Sequence, residues 1–234
     1  EASFGLQPAA DLNGDGDIAD SLIVVVARGA DGWEVLPDRT GDGVIDAEAP
    51  VLDFARSRGW FGWSRAGVPP LGVAVNLRDS AGVPILDLVF DQSGHGTHVA
   101  GIAAGHRHYG VSGFDGVAPG AQLLGLKIAN NAEGGITTTG SMISALEHAI
   151  ATSRRMAMPL VVNLSFGVGN QLEGTAEIDR LVDSVLAANP DVVMTVAASN
   201  DGPGLSTLGF PASASRVLAV GATHPLVFEN VPRD

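Results

Sequence analysis

The run Ser93-Gly94-His95-Gly96-Thr97-His98-Val99-Ala100-Gly101-Ile102-Ala103-Ala104-Gly105 constrains this chain more than any other stretch. A histidine stands between two glycines at the mouth of an apolar, small-residue segment. Gly94 and Gly96 let the backbone turn sharply and approach a neighbour closely. Thr97 supplies a capping hydroxyl, and the small residues that follow predict a helix packed tightly against a sheet. An imidazole in the first turn of a helix, on a rigid scaffold, is placed for general-base work. A lone histidine at a helix start more often simply packs. The glycines, the threonine and the small helix face turn this one toward chemistry.

The chain changes character near residue 90. Beyond it, apolar strand candidates at 123–128, 160–164, 192–197 and 217–220 alternate with helical segments at 97–105, 139–154 and 174–188. That rhythm predicts an α/β fold, a parallel sheet with helices on both faces. In the last helix Ile178, Leu181, Val182, Val185 and Leu186 fall on one stripe at 3.6-residue spacing. Before residue 90 the pattern is hairpins. Residues 22–27 and 33–36 flank Gly29-Ala30-Asp31-Gly32, and residues 72–77 and 83–90 flank Asp79-Ser80-Ala81-Gly82. The organisation expected is therefore a β-rich, hairpin-bearing insertion over 1–90 and an incomplete α/β core over 91–234.

Composition narrows the function classes. The 234 residues carry a net charge of −13, which argues against nucleic acid, since a phosphate backbone demands a basic surface. An acidic balance of this kind fits an extracellular or secreted protein, a salt-tolerant one, or simply an acidic, calcium-binding one. The absence of cysteine excludes disulfides, thiol chemistry and cysteine-based zinc sites. No apolar run reaches the ~18 residues of a membrane span, so no membrane partner is expected. The sequence specifies no oligomeric state. Glu1-Ala2-Ser3-Phe4 is no signal peptide and Val231-Pro232-Arg233-Asp234 closes no element, so the chain reads as an excised piece of a longer protein.

The histidine run resembles the histidine motif of the subtilisin-like serine peptidases, and further segments follow in that family's order. Gly116-Val117-Ala118-Pro119-Gly120 resembles the turn after the histidine helix, and Val161-Val162-Asn163-Leu164-Ser165-Phe166-Gly167 the strand whose end lines the specificity pocket. Thr195-Val196-Ala197-Ala198-Ser199-Asn200-Asp201-Gly202 resembles the segment that supplies an oxyanion asparagine, and Gly209-Phe210-Pro211 completes the pattern. The likeness spans about residues 90 to 222, and the string from Asn200 to Gly209 is most similar to the tripeptidyl-peptidase and pyrolysin-type branch. The resemblance implies that His95 is the general base and Asn200 the oxyanion donor. It further implies that Ser165, Phe166 and Gly167 border the acyl side of a polypeptide substrate, with Gly134 and Gly135 as the opposite edge. An extended peptide would add itself as a strand between them. The bland alternatives are an ordinary strand end with a buried Phe166 and a structural role for His98.

Two of the four parts such chemistry needs are not found. The family's serine lies in a Gly-Thr-Ser-Met-Ala-x-Pro run downstream of the asparagine, and nothing here matches it. Gly140-Ser141-Met142 precedes Asn200 and reads as a helix start, while Ser206 lies in a turn. The family's aspartate follows an early apolar strand. Asp79 imitates it, but Asn76 and Arg78 interrupt the strand, Ala81 displaces the glycine, and residues 83–90 return at once as a hairpin partner. Serine and aspartate are therefore expected outside the chain, leaving these residues alone inactive. A second departure is Ser199, where most relatives carry glycine. The reading is a serine endopeptidase segment; the alternatives are a tripeptidyl-peptidase and a non-catalytic, calcium-stabilised interaction domain of the same fold. A Gly-Thr-Ser-Met motif further along the parent discriminates enzyme from interaction domain.

No cofactor is required for the chemistry, but a structural calcium ion is weighed at two acidic loops. Asp11, Asn13, Asp15 and Asp17 place oxygens at alternate positions with Gly16 at the sixth, as at the start of an EF-hand-like calcium loop. Leu22 occupies the twelfth position, where a bidentate carboxylate belongs; Asp20 is the nearest substitute. In the second loop, from Asp38 to Asp46, Arg39 and Thr40 dilute the pattern. Solvated Asp-Gly turns explain both loops equally simply.

Overall fold

The computed structural model describes residues 21–47, 49–63, 71–91, 94–129, 137–169 and 172–223. It divides into two compact units, one made of residues 1–94 with 130–135 and the other of 95–129 with 136–234.

The first unit is built from hairpins. β1 (Val24–Gly29) pairs antiparallel with β2 (Gly32–Pro37), from Val24 opposite Pro37 to Gly29 opposite Gly32. β3 (Trp60–Trp63), β4 (Leu71–Ser80) and β5 (Val83–Val89) form a second antiparallel sheet in that order. The β4–β5 turn has positive φ at both central residues, 53° at Ala81 and 86° at Gly82. Such a turn matches the right-handed twist of the strands it joins. Alternation along the strands puts Phe61 and Trp63, then Val73 and Val75, on one face, where they bury with Val35 and Val51. α1 (Phe54–Ser57) is a single turn capped by Asp53, whose Oδ1 accepts from the Ala55 amide at 2.9 Å. The other oxygen, Oδ2, takes the Leu77 amide of β4 at 2.7 Å, fastening the turn to the sheet.

Asp38 anchors the loop that follows β2. It is fully buried, and its Oδ1 accepts from the amides of Thr40, Gly41 and Asp42 while Oδ2 accepts from Gly43. Burial alone raises its pKa, but these four amides outweigh it and hold the carboxyl below its usual range. This second acidic loop thus folds around its own first carboxylate.

The second unit is α/β. β6 (Val161–Leu164), β7 (Val193–Ala197) and β8 (Leu218–Val220) form a parallel sheet in chain order, with Val161 opposite Val193 and Thr195 opposite Leu218. α3 (Thr139–Met156) starts at the Thr138 cap, which accepts from the Ser141 amide at 3.0 Å. α4 (Glu177–Ala188) carries the apolar stripe read from the sequence. Met142, Leu146 and Ile150 of α3 and Ile178, Val182 and Leu186 of α4 bury against Met194 and Val196 of β7. The helix-on-sheet packing expected from the alternating pattern is seen on this face. Two acids one turn apart on α4 hold the segment leading into β8. Asp179 Oδ2 accepts the Ser213 hydroxyl at 2.7 Å, and Asp183 accepts the amides of Ser215 and Arg216.

One strand expectation is corrected. Residues 123–128 form no ladder with any described strand, and Leu123, Leu124 and Leu126 are exposed. An apolar run becomes a strand only where a neighbour offers its amides and carbonyls. None of the described strands does so here.

Candidate functional site

α2 (His95–Ala104) begins at the histidine itself, two residues before the expected start, and His95 and His98 are exposed. Gly94, at φ +61°, makes the turn into the helix, a conformation that favours glycine. The small residues downstream have a visible purpose. The amides of Gly116, Val117 and Ala118 donate to the carbonyls of Gly105, Ile102 and Ala103 at 2.8–3.0 Å, satisfying carbonyls a helix end leaves unpaired. A Cβ at Gly116 would lie 2.6 Å from the Gly101 carbonyl oxygen, so only glycine permits this approach. The His108 ring closes the same end, its Nε2 donating to the Gly101 carbonyl at 3.1 Å.

The other candidate residues gather at the carboxyl ends of β6 and β7. Ser165, Phe166 and Gly167 follow β6, and Asn200 follows β7. In parallel sheets this end is where ligands bind. The two segments run side by side: a Cβ at Gly167 would lie 3.7 Å from the Ala197 carbonyl oxygen and 3.9 Å from Ser199 Cα. Asn163 Nδ2 donates to Ser165 Oγ at 3.0 Å, and Thr195 Oγ1 donates to Asn163 Oδ1 at 3.2 Å, so a polar chain links the strand ends. Phe166 is half-buried and packs on the core, while Ser165, Gly167 and Asn200 are exposed. An isolated bridge joins Val168 and Phe210, and the Gly209 amide donates to the Ala198 carbonyl at 3.3 Å. The Gly209-Phe210 segment is thereby fastened beside both.

The remaining candidates separate cleanly. Asp79 is a turn acid of the hairpin unit: its Oδ2 accepts the Trp33 indole N–H at 2.9 Å and its Oδ1 the Gly82 amide at 2.7 Å. Those two bonds, the indole's first, lower its pKa against a small burial penalty. Ser141 lies in the first turn of α3 and Ser206 in an exposed turn. Gly134 and Gly135, and the calcium candidates Asp11, Asn13, Asp15 and Asp17, lie outside the described residues. Among the described residues no cluster of three or more His, Asp or Glu side chains could hold a metal ion. Asp201 has no role in the sequence motif, yet its Oδ2 accepts the Ser199 hydroxyl at 2.9 Å across Asn200. The unusual serine at 199 was the available signal.

A histidine opens a helix of the α/β unit, and an asparagine segment and a serine-glycine edge adjoin at the carboxyl ends of its parallel strands. Residues 86–225 match the Subtilase family, Peptidase_S8, and the chain belongs to it. It is 29% identical over 206 residues to tripeptidyl-peptidase 2 of Drosophila melanogaster, covering 88% of this chain and 14% of that protein. It is 39% identical over 136 residues to the minor extracellular protease Epr of Bacillus subtilis, covering 57% of this chain and 18% of that one. The crystal structure of tripeptidyl peptidase 2 superposes with a TM-score of 0.66 at 28% identity, over 87% of this chain and 16% of that one. The chain thus spans less than a fifth of these relatives' length. Among the described residues no helix is long and apolar enough to cross a membrane.

Proposed function

We propose that these residues form part of the catalytic domain of a serine peptidase that cleaves polypeptides through an acyl-enzyme. His95 takes the proton from a serine nucleophile and returns it to the leaving amine. Asn200 donates its side-chain amide to the oxyanion of the tetrahedral intermediate. Removing such a donor in subtilisin, a member of this family, costs about 10²–10³ in kcat. Ser165, Phe166 and Gly167 form one edge for an extended substrate, and Gly134 and Gly135 the other. The nucleophilic serine and the histidine-orienting aspartate come from outside residues 1–234, since no Gly-Thr-Ser-Met run occurs here and Asp79 is held by a tryptophan and its own turn. The observation that carries the reading is the juxtaposition of the Ser165-Phe166-Gly167 edge with the Asn200 segment at the carboxyl ends of β6 and β7.

Whether the product is an internal fragment or a tripeptide is a separate choice. The 206-residue likeness to the Drosophila protein is longer than everything that follows residue 90, so it reaches into the hairpin unit, whereas the family match begins at 86. The structural match to tripeptidyl peptidase 2, over 87% of this chain at a TM-score of 0.66, favours the tripeptidyl-peptidase reading over the general endopeptidase one. Peptides with free and with acetylated amino termini decide it in the complete polypeptide. Release of tripeptides from the free form alone supports the first reading, and equal internal cleavage of both supports the second. Structural calcium at Asp11, Asn13, Asp15 and Asp17 belongs to the same proposal, as does an extracellular setting, which the name of the Bacillus relative supports.

A further inference from the structure

Ser199 has φ +97°, a left-handed backbone conformation that a side chain disfavours and glycine accepts. Strain of this kind persists only where surrounding contacts over-determine it. Two hydrogen bonds do so here. The Ala198 amide donates to the Val220 carbonyl at 3.0 Å, fixing the chain just before the strained residue. The Ser199 hydroxyl donates to Asp201 Oδ2 at 2.9 Å, closing a two-residue bridge over Asn200. Gly167 and Gly169 are neighbours of the pair: a Cβ added there would lie 3.9 Å from Ser199 Cα and 3.7 Å from Asp201 Oδ2. The hydroxyl–carboxylate bond is exposed, so it adds little to stability.

We propose that Ser199 and Asp201 are positioning residues that clamp the 199–201 backbone and so fix the aim of the Asn200 carboxamide. The proposal rests on the reading of Asn200 as oxyanion donor. A group that acts only in the transition state must be held in place before the reaction, and a small misplacement is costly. The clamp therefore acts on kcat and leaves substrate binding alone.

The test uses the complete polypeptide and a peptide substrate, with kcat, KM and melting temperature measured for each variant. Asn200→Ala is expected to lower kcat by about 10²–10³. Ser199→Ala and Asp201→Ala are each expected to lower it by about 10-fold with KM unchanged. Asp201→Asn, whose carboxamide oxygen still accepts the hydroxyl, is expected to restore it. Adding Ser199→Ala to Asn200→Ala should cost nothing more, because the clamp acts through the asparagine. An unchanged kcat in Ser199→Ala, or a loss that persists in full in the Asn200→Ala background, overturns the clamp while leaving the oxyanion reading intact. An unchanged kcat in Asn200→Ala overturns the oxyanion reading, and the clamp with it.

Discussion

The hairpin unit and the α/β unit solve the burial problem differently. In the hairpin unit Val35, Trp63, Val73 and Val75 are wholly excluded from solvent, although its helix is a single turn. In the α/β unit, helices α3 and α4 seal one face of the sheet. On the other face Val161 and Leu218 are 69% and 59% exposed, and Val193 and Val220 are exposed too. Every residue proposed for chemistry that the structure describes belongs to this second, less enclosed unit. The contrast teaches a division of labour: the hairpins carry a closed core, and the parallel sheet holds its polar groups at open strand ends, where a substrate can reach them.

That division can be broken by substitution. The largest expected effect is on chemistry from the α/β unit. His95→Ala in the complete polypeptide should lower kcat by ~10⁶, the scale of losing a triad member in subtilisin, with the melting temperature unchanged. A large melting shift with modest kinetic loss would reassign His95 to packing. Next comes the hairpin core, where the opposite signature is expected. Phe61→Ala should destabilise that unit by about 3–5 kcal/mol in urea titration, because its site is fully enclosed, and kcat of whatever remains folded should be unchanged. A kinetic defect there would couple the units.

The acids sharpen the comparison, since each unit has one that gathers backbone amides. Asp183 resembles Asp38 in this. Burial raises its pKa, but the Ser215 hydroxyl and the amides of Ser215 and Arg216 prevail and lower it. For both carboxylates the folded pKa lies below the unfolded value of ~3.9, so their contribution is present above that pH and is lost as the pH falls through the folded values. Hydrogen exchange should show both units loosening below about pH 4. Asp38→Asn should reduce this acid sensitivity in the hairpin unit only, and Asp183→Asn in the α/β unit only. The smallest expected effect is that of calcium. If Asp11, Asn13, Asp15 and Asp17 hold the ion, saturation at 100 times the Kd adds about 2.7 kcal/mol to the unit that binds it. Equal melting curves in calcium and in chelator leave that loop a plain turn.

Much of this was legible because it is local. The His95 helix, the α4 stripe and the hairpin around Asp79-Ser80-Ala81-Gly82 each write their geometry into a few neighbouring residues. β3 escapes notice because Trp60-Phe61-Gly62-Trp63 is too short to show an alternation, and its partner β4 begins only at Leu71. The opposite error at residues 123–128 has the same root, since a strand is defined by a partner that its own sequence does not contain. Asp179 and Asp183 join residues 32 to 34 positions away, a separation no periodicity reveals. At the candidate site the sequence showed the residue types and one anomaly, Ser199. The hydrogen bond to Asp201 needed the fold.

The central claim is that the α/β unit carries the base and oxyanion donor of a serine peptidase whose nucleophile lies elsewhere in the polypeptide. Labelling the complete polypeptide with a serine-directed fluorophosphonate, followed by peptide mapping, tests it most directly. The account predicts one modified serine, outside residues 1–234, and loss of labelling in His95→Ala. Modification of Ser141 or Ser206, or labelling undiminished by His95→Ala, would contradict it.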